Sequence, residues 1–195
     1  MNTSNWFVKK EDNKAKILDL FIDIVLDTGK EPTIDELAAR TTVSRRTILN
    51  YYQDKNEIIR ELRSMIFKRV ESLFPQVDGK ENQPIEELLD LILSRRAEIY
   101  EYLSPIFGIL ESRKQEDPIL VENAKSNTEM DLNLITQIFS PYIRKDLDPA
   151  KTIKIITSTL SWNYWCFMRF NLGLEKNVCQ DIIKYQAMMF FTTGD

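Results

Sequence analysis

The sequence has no histidine and only five glycines among its 195 residues. Without histidine it lacks the most common general base, the usual partner of a nucleophilic serine or cysteine, and the most common transition-metal ligand. The glycines are scattered at positions 29, 79, 108, 173 and 194, so they form no phosphate-binding loop. Carboxylates are plentiful, but they follow solvated helix faces and show no catalytic pairing. We therefore predict that the protein is not an enzyme and that it requires no metal and no cofactor.

Cysteine is also scarce, with Cys166 and Cys179 as the two examples in the chain. Two cysteines are too few for a disulfide framework, and both lie in apolar segments of helical character. Buried free thiols are the simpler interpretation. A redox sensor is the alternative, and it requires an exposed thiol of low pKa.

Long apolar runs are missing as well. Charged residues interrupt each run before it reaches the roughly 20 residues that a membrane-spanning helix needs. The first ten residues, MNTSNWFVKK, do not have the basic-then-apolar order of a secretory signal peptide. We therefore expect a cytoplasmic protein without a membrane partner.

The net charge of −4 is unevenly distributed along the chain. Residues 1–70 contain 13 basic and 11 acidic residues, whereas residues 71–195 contain 13 basic and 19 acidic residues. The N-terminal part is weakly basic and the remainder is acidic. This asymmetry favours an N-terminal part that faces a phosphate backbone and a body that stays away from it.

Apolar residues recur at helical spacing along nearly the whole chain, and no segment alternates long enough to predict a strand. Capping residues and prolines mark where helices start, as at Asp54, Pro105 and Pro149. The predicted helices cover residues 14–28, 33–40, 44–52, 55–74, 84–102, 105–114, 118–139, 149–171 and 177–192. The fold class is therefore all-α, with about nine helices.

The segment from Thr33 to Lys55 carries the strongest functional signal. A capped helix, Thr33 to Arg40, is followed by a three-residue turn and a short helix that starts at Ser44. Two helices joined so tightly cross steeply, which lets the second project from the surface. Its first turn contains Arg45 and Arg46, and such a helix suits the major groove of DNA.

Residues Ile34 to Ile58 resemble the N-terminal signature of the tetracycline-repressor (TetR) family of bacterial transcription regulators. The matching positions are Ile34, Leu37, Ala38, Val43, Ser44, Thr47, Tyr51, Tyr52, Lys55, Glu57 and Ile58, together with Ile17, Leu18, Phe21 and Gly29 in the first helix. Two positions depart from the family pattern. Arg46 stands where the family usually has glycine, and Leu49 stands where it usually has a tyrosine that contacts a phosphate.

The resemblance implies an N-terminal helix-turn-helix domain, residues 1–54, and an effector-binding and dimerisation domain, residues 55–195. The helix over 55–74 would connect the two. It implies a homodimer that binds double-stranded DNA and represses transcription until a small-molecule effector releases it from a palindromic operator. The alternative is a TetR-like protein-interaction module that has lost autonomous DNA binding, which the Leu49 departure and the weak N-terminal charge keep open.

Eight residues are candidates for DNA contact: Thr33, Ser44, Arg45, Arg46, Thr47, Asn50, Tyr51 and Lys55. Arg45 and Arg46 point about 100° apart on a helix, so we expect one to contact a base edge and the other a phosphate. Outside this motif, two adjacent surface arginines would be interpreted as solvated side chains.

The remaining candidates are placed by helix position or by resemblance. Thr33 and Lys55 lie at helix starts, where free backbone N–H groups favour a phosphate oxygen, although Thr33 can also serve as a cap alone. The resemblance implies that the Tyr51 hydroxyl donates to a phosphate. Ile48 and Tyr52 are expected to face inward.

The C-terminal half predicts an interface and a pocket. The helices over 149–171 and 177–192 are apolar on more than one face, so a monomer would expose a large apolar patch. A four-helix dimer interface removes that patch, as the resemblance also implies. The resemblance further implies an effector pocket between residues 84 and 147. Candidate lining residues, for which ordinary core packing is the alternative, are Tyr100, Tyr102, Phe107, Met130, Phe139 and Trp165.

Overall fold

The structure, a computed structural model, describes residues 3–70, 83–115 and 117–192. The regular elements of these ranges are helices, so the predicted all-α class is confirmed. They are α1 (Thr3–Thr28), α2 (Ile34–Arg40), α3 (Arg45–Tyr51), α4 (Lys55–Val70), α5 (Ile85–Arg113), α6 (Pro118–Phe139), α7 (Pro149–Thr159), α8 (Trp162–Cys166) and α9 (Lys176–Met188). A 3₁₀ turn, Ser140–Tyr142, follows α6, and a π-helical turn, Phe167–Asn171, follows α8.

The chain divides into two compact units. The first contains Met1–Ser72 and Tyr102–Glu122, and the second contains Leu73–Glu101 and Asn123–Asp195. Helices α5 and α6 each contribute residues to both units. The predicted functional boundary after residue 54 stays a prediction, because a packing unit and a functional domain need not share an edge.

The first unit begins with a helix longer than predicted. α1 starts at Thr3 rather than near Lys14. The prediction missed these first turns because Phe7 and Val8 are exposed and the segment lacks the apolar periodicity that indicates a helix. Its end is where the sequence placed it. Gly29 lies at φ +68°, in the left-handed region that glycine adopts without a steric penalty, and its N–H donates to the Val25 carbonyl at 2.8 Å.

The core of the first unit comes from all four N-terminal helices. α1 packs against α2 and α4, and α2 packs against α3. The side chains that are at most 1% exposed in these helices and at the residue after α3 are Ile17, Phe21, Ile22, Val25, Leu37, Ile48, Tyr52, Ile58, Ile59 and Leu62. The short helices α2 and α3 are therefore held by buried apolar residues rather than by their own length.

Pro105 does not start a helix, and the prediction of separate helices over 84–102 and 105–114 is wrong. α5 runs unbroken from Ile85 to Arg113 with Pro105 inside it. Proline removes one helical hydrogen bond, which usually ends or kinks a helix. Leu103 and Ile106, on either side of this proline, are both at least 98% buried, and their burial offsets the lost hydrogen bond.

The predicted single helix over 149–171 is interrupted. α7 ends at Thr159, and Ser161 caps α8 by accepting a hydrogen bond from the Tyr164 N–H at 3.3 Å. Serine competes with the helical backbone in this way, so it favours helix starts over helix interiors. The last helix, α9, ends at Met188, short of the predicted 192, and Phe191 then forms an isolated antiparallel bridge with Ile143.

The second unit has its own apolar core, built from α5, α6, α7, α8 and α9. Its fully covered side chains include Leu89, Ala97, Ile135, Phe139, Ile156, Cys179 and Ala187. The predicted end of α4 near residue 74 lies outside the described residues.

Candidate nucleic-acid interface

Helix α3 is fixed by its two ends and by one buried face. The Ser44 side chain accepts from the Thr47 N–H at 3.1 Å and caps the helix. Ile48 is fully buried and Tyr52 is 1% exposed, as expected. The Tyr52 hydroxyl donates to Glu61 at 3.2 Å, so its buried polar atom has a partner. Ser44 therefore acts as a cap. Its hydroxyl oxygen also lies 2.8 Å from the Thr47 hydroxyl oxygen, so the two hydroxyls are hydrogen-bonded.

The opposite face of α3 is exposed and carries both arginines. At about 100° per residue, Leu49 lies roughly 40° from Arg45, Arg46 about 100° and Asn50 about 140° from it. These four side chains therefore form one continuous arc, and all four are exposed. We call them the outer face of α3. Thr47 is half-buried beside this arc, where its N–H and hydroxyl are used by the cap.

Arg45 forms an ion pair with an acidic residue of α2 that the sequence analysis did not predict. Its Nη1 lies 3.2 Å from Oδ1 of Asp35 on α2. Both side chains are largely exposed, at 63% and 69%, so this pair contributes little stability and can exchange for another anion. Among the described residues, Arg46 forms no ion pair.

Tyr51 is held by α1, a contact that sequence spacing could not reveal. Asn13 donates its amide N–H to the Tyr51 hydroxyl at 3.1 Å, and the Lys10 ammonium lies 5.9 Å from the centre of the ring. Because the Tyr51 oxygen accepts from Asn13, its own hydrogen can be donated elsewhere. The geometry suits donation to a phosphate oxygen next to the lysine.

Lys55 shares an acidic partner with an arginine far along the chain. Glu31 accepts from Lys55 at 2.8 Å and from Arg113, at the end of α5, at 2.9 and 3.1 Å. Burial alone would raise the pKa of the Glu31 carboxyl, but hydrogen bonds from Arg113 and Lys55 outweigh it and lower that pKa. Lys55 is thus at the predicted place, with its charge already engaged by Glu31.

Thr33 forms the predicted capping box with Glu36. The Thr33 N–H donates to Glu36 at 2.6 Å, and the Glu36 N–H donates to the Thr33 hydroxyl oxygen at 3.1 Å. The bond from the Thr33 backbone is the main reason that the pKa of Glu36 is lowered. The Thr33 hydroxyl also donates to Glu36 at 2.9 Å, so a phosphate would compete with the capping box for it.

Asp117 has two structural roles in the first unit. Its Oδ1 accepts from the Ile119 N–H at 2.9 Å at the start of α6, and its Oδ2 accepts from Arg60 of α4 at 2.7 Å. The side chain is 3% exposed. Burial alone would raise the pKa of Asp117, but the bonds from Arg60 and from backbone N–H groups, together with the Arg60 charge, lower it. An aspartate directly before Pro118 is visible in the sequence as a possible cap, but its partner 57 residues away is not.

The six candidate pocket residues have different surroundings. Tyr102 and Phe107 belong to the first unit, whereas the other four belong to the second. Tyr100 and Trp165 lie against each other, with ring centroids 6.0 Å apart. Phe139 stacks on Phe191 at 5.2 Å within the core. Met130 is 56% exposed, and its place in a pocket stays a prediction.

Two charged clusters surround the Tyr100–Trp165 pair, and the sequence analysis predicted the ion pairs of neither. Arg96 binds Asp131 through both nitrogens of its fork, and it donates to the Leu160 carbonyl at 3.1 Å. Tyr100 donates to the same carbonyl at 2.8 Å. Its buried phenol and the Arg96 guanidinium form one hydrogen-bonded network with the end of α7.

The second cluster centres on Glu101. Arg169 donates to it at 2.8 and 3.0 Å, and the Trp165 indole N–H donates at 3.0 Å. The bond from Arg169 is the main reason that the pKa of Glu101 is lowered. The cation that Glu101 binds in this structure is therefore Arg169.

The segment from α7 to Met189 exposes a series of large apolar side chains. They are Ile155, Phe167, Phe170, Leu172, Val178, Tyr185 and Met189. An open groove on α7 to α9 is lined by Lys154, Ile155, Ser158, Thr159, Tyr164 and Gln186. We call these seven exposed side chains the apolar face. Apart from Leu172, they lie in the two segments predicted to form the dimer interface, 149–171 and 177–192.

The cysteines favour the interpretation as structural thiols. Cys179 is buried, and burial raises the pKa of its thiol, which disfavours the reactive thiolate. Cys166 is half-buried. Among the described residues, no group of three or more acidic or cysteine side chains could hold a metal ion. None of the described helices is long and apolar enough to cross a membrane.

Comparison with known proteins relates the chain to solved structures through its fold. No protein-family profile and no curated protein sequence matches it. A transcriptional regulator from Rhodococcus sp. Rha1 superposes with a TM-score of 0.68 at 11% identity, over 91% of this chain and 95% of that one. A protein from Rhodococcus sp. solved as a TetR-family transcriptional regulator gives 0.65 at 14% identity, over 93% and 100%. NalD, the secondary repressor of the MexAB-OprM multidrug efflux pump in Pseudomonas aeruginosa, gives 0.63 at 16%, over 94% and 98%.

Proposed function

We propose, from the fold that this chain shares with TetR-family transcription regulators, that it is a homodimeric DNA-binding repressor released by a small-molecule effector. The observation that carries this proposal is the outer face of α3. Two arginines and an asparagine project from a helix whose opposite face is locked by Ile48 and Tyr52. A rigid basic helix of this kind is what base readout in the major groove requires.

The candidate residues divide between base and phosphate contacts. Arg45, Arg46 and Asn50 have the donor groups that read guanine and adenine edges. Tyr51 and Lys55 would hold phosphates on either side, with Thr33 and the capping residues Ser44 and Thr47 as further contacts. Phosphate contacts fix the position of the helix, and base contacts select the sequence.

The proposed dimer forms through the apolar face of α7 to α9. Seven large apolar side chains exposed on these elements are an apolar surface that a second copy can cover. A twofold dimer carries two copies of α3, one from each chain. We expect them to enter successive major grooves, about 34–36 Å apart, on a palindromic site.

The proposed interface predicts that a charge placed in it will convert the dimer to a monomer. Tyr185 on α9 is 73% exposed in the single chain, and a charge there would be buried by the partner. Light scattering after gel filtration should give twice the 22.9 kDa chain mass for the wild type and the single-chain mass for Tyr185→Asp. Val8→Asp on α1, at a site that is 58% exposed, is the matched control and should remain dimeric. A dimeric Tyr185→Asp variant would place the interface elsewhere.

The effector is proposed to bind in the second unit around Tyr100 and Trp165. Aromatic rings there adjoin two ion-paired clusters, so the region offers flat apolar contact together with charged hydrogen-bond partners. The other four predicted lining residues, Tyr102, Phe107, Met130 and Phe139, remain candidates. By linkage, an effector that releases DNA must bind the DNA-free dimer more tightly than the DNA-bound dimer.

The function is tested with DNA from the region upstream of the protein's own gene. Titration at salt concentrations between 50 and 200 mM should show tight binding that weakens by about 10³-fold if six phosphates are neutralised per dimer. Scrambled DNA of the same length should bind weakly throughout. Failure to bind either DNA at low salt would contradict the proposal and favour the protein-interaction module, for which the engagement of Lys55 by Glu31 is the supporting observation.

A further inference from the structure

The outer face of α3 contains one apolar side chain among polar ones. Leu49 is 44% exposed, whereas Ile48 beside it is fully buried. On the helix it lies between Arg45 and Arg46 in angular order, roughly 40° from the first and 60° from the second. An apolar group at the centre of a charged recognition face can contribute to binding only through an apolar partner, since it can neither pair with a phosphate nor donate a hydrogen bond.

The major groove offers one such partner. All base edges there present hydrogen-bond donors or acceptors, and thymine alone adds a methyl group at C5. We propose that Leu49 selects thymine by packing on this methyl group, next to the base pair that one of the two flanking arginines contacts. This inference rests on the proposed function, and it names a base that the DNA site must contain.

The two flanking arginines make the contact geometrically defined. Arg45 is directed to one side by Asp35, at 3.2 Å, and Arg46 lies on the other side of Leu49. Guanidinium contacts on both sides would fix the depth and rotation of α3, which holds the leucine side chain against the groove floor. Leu49 is therefore assigned to base selection, and the tyrosine–phosphate contact expected at this position in the family is replaced.

The contact can be tested by removing one methyl group from the DNA. In the bound upstream fragment, each thymine is replaced in turn by deoxyuridine, which keeps the base pair and loses only the methyl. Removing one buried methyl should weaken binding about fourfold, and about 15-fold when both symmetric half-sites are changed. One symmetric pair of positions should respond in this way.

The same replacements with Leu49→Ala assign the effect to the side chain. This variant should bind the thymine and deoxyuridine fragments equally at the responsive positions. Leu134→Ala on α6, an exposed leucine in the second unit, is the matched control and should keep the wild-type discrimination.

Each outcome is decisive. Tight wild-type binding that no deoxyuridine replacement weakens would overturn the assignment of Leu49 while leaving the proposed function intact. Discrimination that persists in Leu49→Ala would have the same meaning. Absence of wild-type binding to any DNA at low salt would overturn the proposed function and this inference together.

Discussion

The double variant Arg45→Ala, Arg46→Ala is expected to lose specific DNA affinity by about 10²- to 10³-fold. A bidentate arginine–guanine contact discriminates by about 1–3 kcal/mol, and a dimer makes it twice. The second arginine of each head adds a phosphate contact, whose loss should also lower the salt dependence of binding. Both side chains are exposed, so the variant should fold as the wild type does. Fluorescence anisotropy with the upstream fragment at 100 mM salt measures the change.

A charge-matched control separates base readout from net charge. Lys125→Ala with Lys145→Ala removes the same two charges from exposed positions of the second unit. This control should change affinity less than threefold. Equal binding by the arginine variant and the wild type would mean that α3 is not the recognition helix. The two single variants compare the arginines by DNA affinity. Arg46→Ala should lower the affinity more than Arg45→Ala, because Arg46 forms no ion pair with a described residue whereas Arg45 pairs with Asp35.

The second large effect concerns stability rather than binding. Arg96→Met should destabilise the protein by about 1.5–3 kcal/mol, because it leaves the half-buried Asp131 carboxylate without its charged hydrogen-bond partner. The variant also removes a donor from the Leu160 carbonyl, which Tyr100 still serves. Urea unfolding at one fixed protein concentration, followed by circular dichroism, gives the free energy of unfolding.

Two further variants show whether the isolated charge is the cause. Arg96→Met combined with Asp131→Leu removes both charges and should recover most of the lost stability. Lys184→Met breaks an ion pair with Asp90 that is much more exposed, and it should cost at most about 1 kcal/mol. A double variant as unstable as Arg96→Met alone would show that the hydrogen bonds, and not the unpaired carboxylate, account for the loss.

Local sequence signals predicted α2, α3 and the end of α1, because the causes of these features are local. The Thr33–Glu36 capping box spans three residues, and the Ser44 cap acts on a backbone N–H three residues away. The stop at Gly29 follows from one backbone conformation. Such features are visible wherever the residues are adjacent in sequence, so the predicted candidate interface has its main helix in the predicted place.

Prediction failed where distant residues decide the outcome. Pro105 is a strong local breaker, yet α5 continues through it because packing on both sides holds the helix. The partners of the charged residues were equally hidden. Arg113 meets Glu31 across 82 residues, and Arg96 meets Asp131 across 35. A single sequence carries no signal for such pairs, since many carboxylates could serve each arginine.

Asp117 illustrates how two contacts on one side chain limit its replacement. One carboxylate oxygen caps α6 and the other binds Arg60, so position 117 requires both a short reach and a negative charge. Asparagine would keep the side-chain length and lose the negative charge. Glutamate would keep the charge, but its longer side chain would carry the carboxylate past the Ile119 N–H. Neither of the two closest chemical relatives satisfies both contacts, so in a library of all amino acids at position 117 we expect aspartate alone to retain full stability.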